Sequence, residues 1–361
     1  MKRQYYLDHA KCSAILFMIA VHVLWKLGCE FTDPVGYTVN FFLGGFMAAP
    51  IFMVAMGMGF AFTKKCEPED YIHRGFVTLL LGYALNVLRE LPLAVFCFIR
   101  EGMTFASHEL WYEFLQGDIL QFAGLAMILF GVLKIPQLSD KTILLISCAM
   151  SLTGYVIPVI SSDSIAMNAT TGLFVFVDHS EETMMCFPLF TWFIYPAFGY
   201  WFERKFEQTE NPDAVFRKAI LPCFLIASCA SLLEMRLDVF MMRSNSEYYH
   251  MQSHDVLISL CYTVFCFSAF YYICRRLPEK VNRFFASIGN ALNLIYLIHW
   301  PLIYLCELCM VKICNIEFTY LCGFATTAVI TCVSVFFAVH LKEAFGNRLK
   351  QDPNSILRFF G

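Results

Sequence analysis

Long apolar runs separated by short charged connectors make up most of the chain. A helix that crosses ~30 Å of hydrocarbon needs roughly 20 mostly apolar residues. The runs that meet this pattern fall at about 10–28, 37–63, 75–99, 116–135, 142–160, 186–203, 218–235, 253–274, 284–310 and 318–340. They predict an all-α, polytopic integral membrane protein of about ten transmembrane helices, with little chain left for a soluble domain. The third run is the least regular, because "NVLRELPLAVFCF" sets Arg89, Glu90 and Pro92 inside it. A kink or a broken helix is expected there. The two halves of the chain show no repeat, which weighs against an inverted-repeat transporter.

Composition agrees with the pattern: 58% of the 361 residues are hydrophobic and 15% charged, and mean hydropathy is +0.60. Most of the 26 Lys and Arg residues fall in alternate connectors, among them "MKR", "FERKFEQTENPDAVFRK" and "CRRLPEKVNR". Since positive loops stay inside, both termini are expected in the cytoplasm. The first apolar run lacks a small-residue cleavage site and carries a histidine, so it reads as a retained span rather than a signal peptide. The opposite connectors are long, aromatic and rich in His and acids, which points to something handled on that side. One of them holds the glycosylation sequon "NAT" at Asn168, relevant only in a eukaryotic host. A net charge of -3 and the lack of a basic aromatic stripe exclude nucleic acid as a partner. The 16 cysteines mostly sit singly within apolar runs and behave there as small hydrophobes.

The polar residues left inside the spans carry the chemistry. In "LDHAKCSAILFMIAVHVLWKL", Lys11 and His22 are eleven residues apart, three helical turns plus about 20°, so they share a face at ~16 Å of rise, and Asp8 joins them. An ionisable group within a bilayer normally faces a bundle interior or a cavity. His22 is therefore either part of a site or a neutral ring bonded to a neighbouring helix. A second such histidine, His299, stands in "SIGNALNLIYLIHWPLIYL", with Asn293, Tyr296 and Trp300 at helical spacing. Counted from the cytoplasmic ends of their spans the two histidines reach similar depths, so they are positioned to meet. Asn293 and Tyr296 read equally well as polar glue between helices.

Two further clusters stand out. Asp118 and Gln121 in "EFLQGDILQFAGL" are one turn apart; Asp118 either orients an imidazole or starts a helix. In "YIHRGF", Arg74 is either an anion ligand or a positive-inside anchor. Metal is not expected, because HExxH or a close ligand pair is lacking. No GxSxG elbow appears.

Taken together, these residues resemble the transmembrane acyltransferase superfamily, which includes acyltransferase family 3 and the heparan-alpha-glucosaminide N-acetyltransferase group. Family 3 proteins typically open with "LDGLRGLAALLVVLFH"; "LDHAKCSAILFMIAVH" matches it at the Asp and the His, with Lys11 in place of Arg and Cys12 in place of Gly. "FMAAPIFMVAMGMGFAFTKK", "GDILQFAGLAMILFGVL", "FPLFTWFIYPAFGYWFE" and "IGNALNLIYLIHWPL" are similar to later elements, so the likeness covers most of the chain.

The resemblance implies a single transmembrane acyltransferase domain over 1–361, moving an acyl group, acetyl in the simplest case, from cytoplasmic acyl-CoA to a hydroxyl or amine of a glycan or amino-sugar acceptor across the bilayer. It implies acetyl-CoA as co-substrate, with Lys11 and Arg74 at the coenzyme phosphates and His22 as general base, and His299 and Asp118 as further catalytic candidates. Asn293, Tyr296, Trp300 and Trp192 are the candidate oxyanion donors. A bacterial inner membrane is the expected location, since nothing precedes the first span and no lumenal domain is attached. The rival reading is a non-enzymatic transporter or flippase of a sugar or lipid intermediate, in which buried His and Asp carry protons or cargo. The acceptor, the acyl chain length and the oligomeric state stay open.

Overall fold

The computed structural model describes residues 3–28, 44–45, 47–63, 67–100, 102, 104, 108–157, 162–179, 182–183, 185–237 and 248–351. The first part of the second expected span, 37–43, and most of the long connector before Ser253 lie outside the described residues.

The elements in chain order begin with α1 (Tyr5–Lys26), α2 (Ala49–Phe62), α3 (Pro68–Arg100), α4 (His108–Leu115), α5 (Ile119–Lys134), α6 (Asp140–Val156) and α7 (Ile165–Gly172). A two-residue antiparallel pair follows, β1 (Asp178–His179) with β2 (Glu182–Thr183). Then come α8 (Leu189–Trp192), α9 (Ile194–Glu207), α10 (Pro212–Leu237), α11 (Ser253–Arg276), α12 (Glu279–Asn290), α13 (Leu292–Cys306) with a π-helical turn Glu307–Ile313, and α14 (Tyr320–Gln351).

The protein is helical, as its pattern predicts, and among the described residues six helices are long and apolar enough to cross a membrane: Tyr5–Lys26, Pro68–Arg100, Pro212–Leu233, Ser253–Arg276, Leu292–Ile313 and Tyr320–Ala344. Of the other expected runs, 37–63 and 116–135 contain the shorter apolar helices α2 and α5, of 14 and 16 described residues, and 142–160 contains α6, of 17. The run at 186–203 is divided at Phe193 into α8 and α9. The run at 284–310 opens in an amphipathic helix, which gives way at Ala291 to the apolar one that supplies the fifth of the six. Conversely, α3 passes through Pro92 without a break. Arg89 and Glu90, just before it, are buried, and neighbouring elements let a spanning helix keep a proline.

The described chain forms two compact units, Met1–Ala49 with Cys266–Gly361, and Pro50–Phe265. In the first, α1 packs on α12, α13 and α14, so the two ends of the sequence share one core. Its N-terminal turns are tied to α12 by side chains. His9 Nε2 bonds Asn282 Oδ1 at 2.8 Å, and Asn282 in turn donates to the Cys274 carbonyl at 2.8 Å.

In the second unit α3 packs along α5 through glycines. A Cβ on Gly124 would lie 2.7 Å from the Gly75 carbonyl oxygen, and one on Gly75 2.6 Å from that of Gly124. Small residues of this kind let spanning helices approach backbone to backbone. Elsewhere α3 exposes Leu80, Leu88 and Ile99, side chains suited to a lipid surround. The Asn168 sequon side chain is buried, accepting from Ser162 N and donating to Ser162 O, so it is not presented for glycosylation.

Candidate active site

In the first unit, His22 on α1 meets His299 on α13. His22 Nδ1 and His299 Nε2 are 3.2 Å apart, and the rings lie nearly parallel, at 13°. His299 is fully buried and its Nδ1 faces the Ile295 carbonyl at 3.3 Å. A carbonyl oxygen only accepts, so Nδ1 of His299 carries the hydrogen. In the neutral pair His299 Nε2 then accepts, and His22 Nδ1 donates to it. The hydrogen-bond geometry thus assigns the tautomers and puts the lone pair of His22 on Nε2. Trp300 stacks on the His22 ring with centroids 4.1 Å apart. The Trp300 Nε1–H donates to the Tyr296 hydroxyl at 3.0 Å, so its role here is that of a wall rather than a donor. Tyr296 also makes edge contact with His299, at 5.1 Å.

Helical periodicity extends this column to both sides of the pair. One turn beyond His22, the Lys26 ammonium sits 4.3 Å from the centre of the Tyr304 ring and 3.5 Å from Glu307. Three turns before His22, Lys11 is half-buried among the charged groups of Arg3, Asp8 and Lys342. Arg3 grips Asp8 with two bonds, of 2.8 and 3.0 Å, and reaches the Ala286 carbonyl and Asn290. The bonded carboxylate raises the Arg3 guanidinium above its ordinary value. Lys342 donates to the Asn290 carbonyl at 2.6 Å. Three cations and one carboxylate therefore meet where α1, α14 and the last turn of α12 converge.

The remaining sequence candidates sit differently. Asn293 lies in the first turn of α13 and is exposed. Asp118, Arg74 and Trp192 belong to the second unit. Asp118 is the N-cap of α5, in a reciprocal capping box with Gln121, and its carboxylate lies 3.5 Å from Arg89 Nη1. Arg89 also pairs with Glu90 at 3.5 Å and donates to Gln116 Oε1 at 3.5 Å. Arg74 is exposed and bonds Thr63 at 3.3 Å. Trp192 is fully buried, and its one N–H donates to the Tyr249 carbonyl at 3.0 Å.

Sequence reasoning missed Arg3, His9, Lys26, Glu307 and Lys342. Lys26 had a usable signal, since it stands four residues after His22 on the same face. Arg3 and Lys342 carried none, because a charged residue at a span end normally reads as an anchor. Among the described residues, no group of three or more His, Cys, Asp or Glu side chains gathers as a metal site would require.

Comparison with known proteins bears directly on this arrangement. No curated protein and no solved structure is similar enough to match the chain. The family model described as "Acyltransferase domain", that of acyltransferase family 3, matches residues 4–340, a span that takes in the His22 and His299 helices and nearly everything between the two termini. The chain belongs to acyltransferase family 3, the membrane acyltransferases its apolar helices and paired histidines pointed toward.

Proposed function

We propose that the protein transfers an acyl group, acetyl in the simplest case, from cytoplasmic acyl-CoA to a hydroxyl or amine of a glycan or related acceptor on the far side of the membrane. The observation that carries this reading is the His22–His299 contact of 3.2 Å, backed by the His299 contact to the Ile295 carbonyl. Together they leave His22 Nε2 as the basic nitrogen.

The chemistry follows from that assignment. His22 Nε2 takes the proton from the acceptor O–H or N–H as the acceptor atom bonds to the thioester carbonyl carbon. The imidazolium so formed keeps its Nδ1–H bond to His299 Nε2 and its face against Trp300, both of which stabilise the charge. Of the four oxyanion candidates we take Tyr296, one turn before His299 and in edge contact with it, as the donor. Collapse of the tetrahedral adduct breaks the C–S bond, and His22 returns its proton to the departing thiolate. His299 is a positioning residue in this scheme.

Lys11, with Arg3 and Lys342 beside it, offers positive charge to the coenzyme phosphates about three turns from the base. An extended pantetheine arm suits a separation of ~16 Å. We take the Lys11 end as cytoplasmic on the distribution of Lys and Arg, and a bacterial inner membrane as the setting.

Purified protein given acetyl-CoA and glucosamine is expected to release CoA in step with acetylated product. Movement of sugar across a vesicle wall without CoA release would favour the transporter reading instead.

A further inference from the structure

The helix α12 presents three faces where a soluble amphipathic helix has two. At about 100° per residue, Asn282 and Ala286, both buried, and half-buried Phe285 and Gly289 line the face that meets α1. That face is tied down by the His9 to Asn282 bond, by the Cys12 thiol donating to the Phe285 carbonyl at 3.2 Å and by Arg3 at the Ala286 carbonyl. A second stripe, Val281, Phe284 and Ile288, is apolar; Val281 and Ile288 are half-buried and Phe284 is 58% exposed. The third stripe, Lys280, Arg283 and Ser287, is polar and exposed. The Arg283 side chain is 75% exposed even while it pairs with Glu279 at 3.2 Å.

A half-buried apolar stripe with an exposed phenylalanine at its centre, beside a basic stripe, is suited to the boundary between acyl chains and headgroups. The sign of the charge selects the headgroup. From Arg275 to Asn290 the chain carries four basic residues, Arg275, Arg276, Lys280 and Arg283, against the single acid Glu279. Both arginines at the end of α11 are exposed, and Pro278 N-caps α12 directly after them.

We propose that α12 lies in the membrane interface as an in-plane helix and docks anionic phospholipid headgroups through Arg276, Lys280 and Arg283, with Phe284 seated among the acyl chains. Three cations at an anionic surface give a preference over neutral lipid on the order of 10- to 100-fold. The same helix holds the first turns of α1, so the bound lipid steadies the Lys11 segment as well. The inference does not depend on the acyl-transfer reading.

The test uses the full chain in a neutral detergent, with phosphatidylglycerol or phosphatidylcholine added to the micelles. Phosphatidylglycerol is expected to raise the melting temperature saturably and to stay bound in native mass spectrometry, while phosphatidylcholine does neither. The combined variant Arg276→Gln, Lys280→Gln, Arg283→Gln is expected to lose that increment. A control with equal charge loss elsewhere, Lys205→Gln, Arg217→Gln, Lys218→Gln, is expected to keep it, as is the charge-preserving pair Arg276→Lys, Arg283→Lys. A wild type indifferent to phosphatidylglycerol, an increment that survives the α12 variant, or one lost equally in the control would overturn the proposal.

Discussion

His22 Nδ1 lies 3.2 Å from His299 Nε2, and the two histidines come from opposite ends of the chain, 277 residues apart. The contact fixes which nitrogen of His22 is basic and gives the resulting cation a partner. His299→Phe keeps a planar aromatic ring and removes the acceptor. We expect kcat to fall roughly 10- to 100-fold, part of the 10²–10⁴ that a general base supplies, with KM for acyl-CoA unchanged. A second readout separates orientation from mere structure. His299→Gln, whose amide oxygen can accept the His22 Nδ1–H in place of the imidazole nitrogen, should recover most of the lost turnover. A glutamine variant as slow as the phenylalanine one would show that His299 does not act through that bond.

Lys11 makes a different kind of prediction, because it concerns binding rather than turnover. Lys11→Met should weaken acyl-CoA affinity about tenfold, the scale of one charge-assisted hydrogen bond, and lessen its salt dependence. Acetyl-pantetheine, which lacks the phosphates, should bind the variant and the wild type alike. If it loses affinity by the same factor, Lys11 is not a phosphate ligand.

Arg89 and Asp118 form part of a buried charged network in the second unit, with the Arg89 side chain only 2% exposed. Arg89→Met leaves the carboxylates of Glu90 and Asp118 without their cation, an expected loss of about 3–5 kcal/mol, visible as a large fall in melting temperature in detergent. Asp118→Asn should cost less, since asparagine caps a helix about as well as aspartate. An Arg89→Met protein that melts with the wild type would refute the structural role.

These residues also mark how far the sequence could be read. The depth argument for His22 and His299 rested on helix rise alone and brought the two rings to one place, because rise per residue is fixed whatever the packing. The histidine spacing, with the motif around it, also led to the right family. Helix boundaries were harder to read: a hydropathy run does not register a break such as Ala291, where an amphipathic helix gives way to an apolar one. Asp118 illustrates a second limit. Both of its readings were chemically sound, and the presence of Arg89 three turns before the end of α3 became relevant only once α3 and α5 were packed together. His9 was invisible for the same reason, since its partner Asn282 lies 273 residues away.

The His9 contact yields a control for the histidine assignments. Asn282→Ala removes the acceptor of a buried ring N–H, at an expected cost of about 1–3 kcal/mol. Stability should drop while turnover per folded molecule is preserved, as measured by active-site titration alongside thermal melting. Loss of turnover without loss of stability would mean that His9 belongs to the chemistry.

The central claim is that His22 removes the acceptor proton. Single-turnover acyl transfer by His22→Ala protein, measured beside its equilibrium binding of acyl-CoA, tests that claim most directly. The account predicts binding within about twofold of wild type and transfer slowed by at least 10²-fold. Transfer at a near-wild-type rate with binding intact would contradict it.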